Sequence, residues 1–360
     1  MKYYKTLDSL RAFAVFLVIL SHWLPFNFVK VFHFGYVGVD IFFVLSGFLI
    51  THNLLKEKES TNNDLKTKFV HLKNFIIRRS LRIFPVYYLL IITLAIFAKH
   101  TYTNIEHNLV YYLTYTSNIL FFNTQNWDGM LSHLWSLAVE EQFYLIWPWL
   151  IIFVPRKHIL AVIIGSFLLG ILSTFVIKAV FPGNEFHDLL TPTCFDAFSL
   201  GGMWAYVKVY KTDKVEKFKS TFVKVGVTCF FFFLAREIFQ FDPIISNRTF
   251  ISIIALALII FAMEYKGTLV HKFILENSFL IFVGKISYGV YLFHSIIPWI
   301  WNLALNSLTL HSTFVASIPT SNVEIKILFF FLKLALLLGF CWFSFRFFEN
   351  PINKFKHRFK

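Results

Sequence analysis

The sequence is short of acid, of cysteine and of chain-breaking residues. Its 360 residues hold 20 Asp and Glu against 34 Lys and Arg, a net charge of +14, and only 15% of positions are charged. In a soluble protein that balance would suggest nucleic acid as a partner. No RNP, zinc-finger or comparable pattern accompanies it, so no nucleic acid is expected. Cys194, Cys229 and Cys341 are scattered and odd in number, which excludes a disulfide framework. The 13 histidines form no HxxxH pair and no His/Cys cluster, so no metal is expected either. Ten prolines and 14 glycines are spread without a Pro-rich or Gly/Ser-rich linker, and no repeat is found. A single domain over residues 1–360 is expected.

What is abundant is apolar surface. Hydrophobic residues make up 57% of the chain, 48 of them Phe, and the mean hydropathy is +0.63. This composition predicts an all-α integral membrane protein. Ten spans of the length a bilayer requires run over about 10–28, 36–54, 80–98, 133–154, 159–180, 190–208, 221–240, 248–264, 286–305 and 325–347. The N-terminal run lacks a small-x-small cleavage site and contains Arg11, so it reads as a retained span rather than a signal peptide. With both termini cytoplasmic, 27 of the 34 Lys and Arg fall on the inner side. The stretch 107–125 is aromatic but interrupted by Thr, Ser and Asn. If it crossed the membrane the charge bias would collapse, so it is expected as an outer-face or re-entrant element. The longest polar stretch is a cytoplasmic basic loop at about 56–79, and a short cytoplasmic tail occupies about 348–360.

Ionisable groups at membrane depth cost about 2.5 kcal/mol or more each, so those present usually face an interior site. Arg11 and His22 are eleven residues apart. On a helix that is three turns plus roughly 20° and ~16 Å of rise, which puts both on one face. Asp40, at similar depth on the second span, can reach His22 with a hydrogen bond. Gly35, Gly38 and Gly47 beside it read as helix-packing positions. Arg78, Arg79 and Arg82 cluster at the mouth of the third span, where Arg79 and Arg82 can grip a phosphate. Alone, the cluster also fits an ordinary positive-inside anchor. In the run SHLWSLAVEEQFYLIWPW, His133 and Glu140 share a face, with Tyr144 one turn deeper, while Glu141 points about 100° away. Glu140 is therefore preferred over Glu141 as a base or as the orienter of a histidine. Ser287, Tyr291 and His294 share a stripe on the ninth span, though His294 also fits a hydrogen-bonded core position. Glu349 can pair with Arg346 where Pro351 stops the last helix.

The segments LDSLRAFAVFLVILSH, GVDIFFVLSGFLI, RRSLRIFPVYY, HLWSLAVEEQFYLIWP, ISYGVYLFH and FFENP resemble, in order and spacing, the membrane acyltransferase family 3 proteins. The resemblance runs from about residue 5 to residue 352 and is to the standalone form without an extra periplasmic domain. It implies a ten-helix enzyme of the bacterial inner membrane that moves an acyl group, usually acetyl, from cytoplasmic acetyl-CoA to a hydroxyl of a surface glycan. Lipopolysaccharide O-antigen is the first expectation for the acceptor. The family's arginine-x10-histidine motif matches Arg11 and His22, with His22 as the catalytic histidine. Its RxxR motif, linked to acyl-CoA binding, matches Arg79 and Arg82. On this reading Asp40 or Glu140 orients His22, and His133, Trp135, Glu141, Tyr144 and His294 face the acceptor. His22 would act by direct proton abstraction or through a transient acyl-histidine. The alternative is a transporter or flippase of a lipid-linked glycan, which would share the buried His, Arg and Glu but transfer no acyl group.

Overall fold

The computed structural model describes residues 4–24, 34–59, 64–239, 246–311 and 322–359. Lys2, Lys30, Lys360 and the expected span ends at 25–28 and 240 lie outside the described residues. Fifteen α-helices account for most of the described residues. They are α1 (Lys5–Trp23), α2 (Phe34–Glu59), α3 (Leu65–Ile96), α4 (Ile105–Leu113), α5 (Ser117–Thr124), α6 (Leu134–Phe153), α7 (Ile159–Val180) and α8 (Phe195–Tyr210). The remainder are α9 (Val215–Phe239), α10 (Asn247–Glu264), α11 (Ser278–Lys285), α12 (Ser287–Phe293), α13 (Ile296–His311), α14 (Val323–Ser344) and α15 (Asn350–Lys354).

Among the described residues, six helical stretches are long and apolar enough to cross a membrane: Lys5–Trp23, Phe34–Glu59, Leu65–Ile96, Arg156–Val180, Asn247–Glu264 and Val323–Lys354. The chain is a multi-pass membrane protein. The other four expected spans are shorter, more polar or interrupted. A wide apolar surface on α7, α9 and α14, including Leu172, Phe231 and Phe331, is left exposed on the outside of the bundle. That is the surface lipid would cover.

Helix α2 sits at the centre, packed against α1, α6, α8 and α10. Glycine makes its closest crossing possible. A Cβ on Gly47 would fall 2.0 Å from the Phe198 carbonyl oxygen, and one on Gly201 would fall 2.1 Å from that of Val44. Neither helix could approach the other with any larger residue, so the packing role read for Gly47 holds.

Two expectations need correction. The basic stretch 56–79 is mostly not a loop: α2 runs through Glu59, residues 60–63 lie outside the described residues, and α3 begins at Leu65. Asp64 caps α3 by accepting from the Thr67 amide at 3.2 Å. At 32 residues α3 measures ~48 Å, longer than the ~30 Å bilayer core, so its basic half projects beyond the membrane. The ninth span, expected at 286–305, is broken into α12 and α13. Pro298 has no amide to donate to the His294 carbonyl, which takes the Trp23 indole N–H instead at 2.8 Å. The His294 ring folds back so that its Nδ1 donates to the Tyr291 carbonyl at 2.6 Å. Helices α4 and α5, at nine and eight residues, are each too short to cross.

Candidate active site

Three cavities follow one another through the bundle. At the basic end, a basin of about 460 Å³ lies among Arg11, Arg79, Arg82, Lys285, Glu349 and Lys356. A throat of about 80 Å³ continues inward and is lined by Ser46, Ser136, Glu140, Tyr144 and Tyr291. Arg11, Leu49, Arg79, Arg82 and Tyr288 line both basin and throat. Beyond it a chamber of about 470 Å³ is lined by His22, Tyr36, Trp127, Ser132, His133 and Trp135. Val39 and Tyr291 line both throat and chamber.

Helix α1 carries one functional side chain to each end of this path. Arg11 is fixed by Asp8, one turn back, at 2.6 Å. Asp8 was not singled out in the sequence, although its i,i+3 spacing to Arg11 was readable. At the far end, His22 Nδ1 lies 2.9 Å from the Val18 carbonyl. A carbonyl can only accept, so Nδ1 carries the proton and Nε2 is the basic nitrogen of the neutral ring. The His294 ring meets His22 edge-on at 4.8 Å and His133 at 4.7 Å. His294 is fully buried behind His22 and does not line the chamber. His133 and Trp135 do line it.

Arg79 and Arg82 make no ion pair among the described residues. The Arg79 guanidinium lies over the Tyr144 ring at 5.2 Å and the Phe75 ring at 5.7 Å. Arg78, their neighbour in sequence, turns away to pair with Glu57 at 2.7 Å and donate to the Phe359 carbonyl. The cluster thus divides into one arginine held in an ion pair and two without one among the described residues.

Glu140 accepts from Ser46 Oγ at 3.0 Å and from the Tyr144 hydroxyl at 3.1 Å. The expected sharing of a stripe by Glu140 and Tyr144 is therefore present, but both face the throat. Among the described residues neither Glu140 nor Asp40 hydrogen-bonds His22. Asp40 is held by Arg248, Nε to Oδ1 at 3.1 Å, and lines none of the three cavities. An arginine buried at that depth claims the nearest carboxylate. Tyr144 is likewise not in the chamber, because Arg79 and Glu140 hold it at the throat. Glu141 opens onto a separate side cavity of about 190 Å³ beside Gln142, Tyr115 and Arg79. It points there because adjacent helical residues diverge by about 100°. Among the residues sequence reading missed, Ser46 was hidden inside an apolar run. Trp127, 46% exposed at the chamber rim, sits in a loop without periodicity.

The chain is 33% identical to the peptidoglycan O-acetyltransferase OatA of Listeria monocytogenes over 98% of its own length and 56% of that protein. It is 28% identical to a Staphylococcus aureus protein named "Putative O-acetyltransferase SACOL0978", over 98% of this chain and 58% of that one. It is 30% identical to the Bacillus subtilis protein named "Putative peptidoglycan O-acetyltransferase YrhL", over 81% of this chain and 48% of that one. The chain thus spans about half the length of these curated relatives. No solved structure matches it. The acyltransferase domain of the acyltransferase 3 family matches residues 4–348, and the chain belongs to that family.

Proposed function

We propose that the protein is an O-acetyltransferase of the bacterial plasma membrane that takes acetyl from cytoplasmic acetyl-CoA and places it on a hydroxyl of a surface glycan. The observation that carries this reading is the line of cavities from an arginine-lined basin, through a narrow throat, to a histidine-lined chamber. A basin with two unpaired arginines suits the phosphates of coenzyme A, and a slender throat suits its arm. The chamber has the aromatic side chains Tyr36, Trp127 and Trp135, on which sugar faces can stack. The names of the relatives favour peptidoglycan as the acceptor over the O-antigen expected first.

In the proposed reaction, His22 Nε2 takes the proton of an acceptor hydroxyl. The oxygen bonds to the acetyl carbon, the carbon–sulfur bond breaks, and the departing thiolate takes the proton from His22. Tyr144 and Glu140, joined to Ser46, shape the throat through which the thioester arrives. Arg11, tied to Asp8, joins Arg79 and Arg82 on the donor side.

The test compares cells carrying wild-type protein, His22→Ala, or a deletion, scoring base-released acetate from purified peptidoglycan. Loss of a general base costs about 10²- to 10⁴-fold, so His22→Ala at normal expression should match the deletion. Acetate unchanged in the deletion would remove peptidoglycan as the acceptor. Acetate lost only in the deletion would remove His22 as the base. Purified protein that releases no CoA from acetyl-CoA with acceptor present would favour a glycan transporter.

A further inference from the structure

The basin carries more positive charge than the two motif arginines supply. Lys285, at the end of α11, and Lys356, just past α15, line it together with Arg79 and Arg82. Neither lysine makes an ion pair among the described residues. The carboxylates lining the basin are Asp8, already paired with Arg11, and Glu349, which accepts from Ser344 Oγ at 3.0 Å. Burial, followed by the like charges of Arg82 and Arg79, pushes the Lys356 ammonium below its ordinary value. Asn353 also lines the basin, and its side-chain oxygen is buried without a partner among the described residues. A crowd of cations around one cavity, with few answering carboxylates, is a site for a polyanion.

The cations are also ordered along the path. Arg79 and Arg82 line both basin and throat, whereas Lys285 and Lys356 line the basin alone. Coenzyme A has the same order: the arm leads to the diphosphate, and the ribose with its 3′-phosphate lies beyond. We propose that Lys285 and Lys356 form a second anion subsite that holds the 3′-phosphate of the donor, while Arg79 and Arg82 hold its diphosphate. This rests on acetyl-CoA as the donor. It makes the C-terminal segment around Asn353 and Lys356 one wall of the donor site.

The experiment titrates CoA and 3′-dephospho-CoA into the full chain purified in detergent, by calorimetry. Wild-type protein should prefer CoA by about tenfold or more, the size expected for charge-assisted phosphate contacts. Lys285→Gln with Lys356→Gln should abolish that preference while changing the affinity for dephospho-CoA by less than about twofold. Lys285→Arg with Lys356→Arg should keep the preference, because the positive charge is retained. Arg79→Gln should weaken both ligands alike. A double glutamine variant that still prefers CoA, or a wild type that binds the two ligands equally, would overturn the lysine subsite and leave the donor standing. Wild-type protein that binds neither ligand would overturn the donor as well.

Discussion

Arg248 and the pair Arg79–Arg82 all sit within the helix bundle, yet their surroundings are opposite. Arg248 is 4% exposed and fully answered: Asp40 receives its Nε at 3.1 Å, and the carbonyl of Asp188 receives its terminal nitrogen at 2.8 Å. Beside it, Asp196 accepts from Thr249 at 2.6 Å and from the Ala197 amide at 2.7 Å. This cluster ties α2, α8 and α10 to the segment before α8. Arg79 lies over aromatic rings, and both Arg79 and Arg82 face an open cavity without an ion pair among the described residues. A buried arginine with its acids in place is part of the scaffold. Arginines that keep their water through a cavity and lack a counter-ion are available to an anionic ligand.

Two experiments can break that comparison. The larger effect belongs to Arg248→Met, which leaves Asp40 buried and unpaired. Removing one member of such a pair costs about 3–5 kcal/mol, so thermal unfolding in detergent should fall sharply and expression with it. Adding Asp40→Asn should recover part of the loss, since the remaining group is then neutral. Next in size, Arg79→Gln with Arg82→Gln should leave unfolding within about 0.5 kcal/mol of wild type. The same variant should lose about 1.5–3 kcal/mol of CoA binding per charged contact. If the double variant unfolds early and binds CoA normally, the two arginine sets have been assigned the wrong way round.

How much of this was legible in the sequence differed by element. Hydropathy placed most helices because apolar runs of bilayer length have few other uses. The α1 spacing put Arg11 and His22 at opposite ends of the path because one helix fixes both. The broken ninth span was not readable as such: Pro298 marks the place, but the bend also depends on Trp23, some 270 residues away in sequence, filling the vacated carbonyl. Asp40 illustrates the same limit. Its depth matched that of His22, and depth is a one-dimensional quantity, whereas the partner was decided by Arg248 on a helix 208 residues distant. Residues without periodicity, such as Trp127, gave no signal at all.

The smallest predicted effect separates two neighbouring carboxylates. Glu140 and Glu141 have identical side chains on consecutive positions of α6, so composition and depth treat them alike. The helix sends Glu140 to the throat, where Ser46 and Tyr144 both donate to it. It sends Glu141 to the side cavity beside Gln142, away from basin and chamber. Glu140→Gln keeps the size but removes the charge and one acceptor oxygen, which frees the Tyr144 hydroxyl at the place the thioester must pass. Loss of one charge-assisted hydrogen bond should lower kcat/KM by about tenfold or more. Glu141→Gln alters a group off the path and should stay within about threefold of wild type. Both variants keep the helix and the span, so their expression should match and the ratio of rates is the readout. A larger loss for Glu141→Gln would move the route of the donor arm from the throat to the side cavity, where Arg79 is also present.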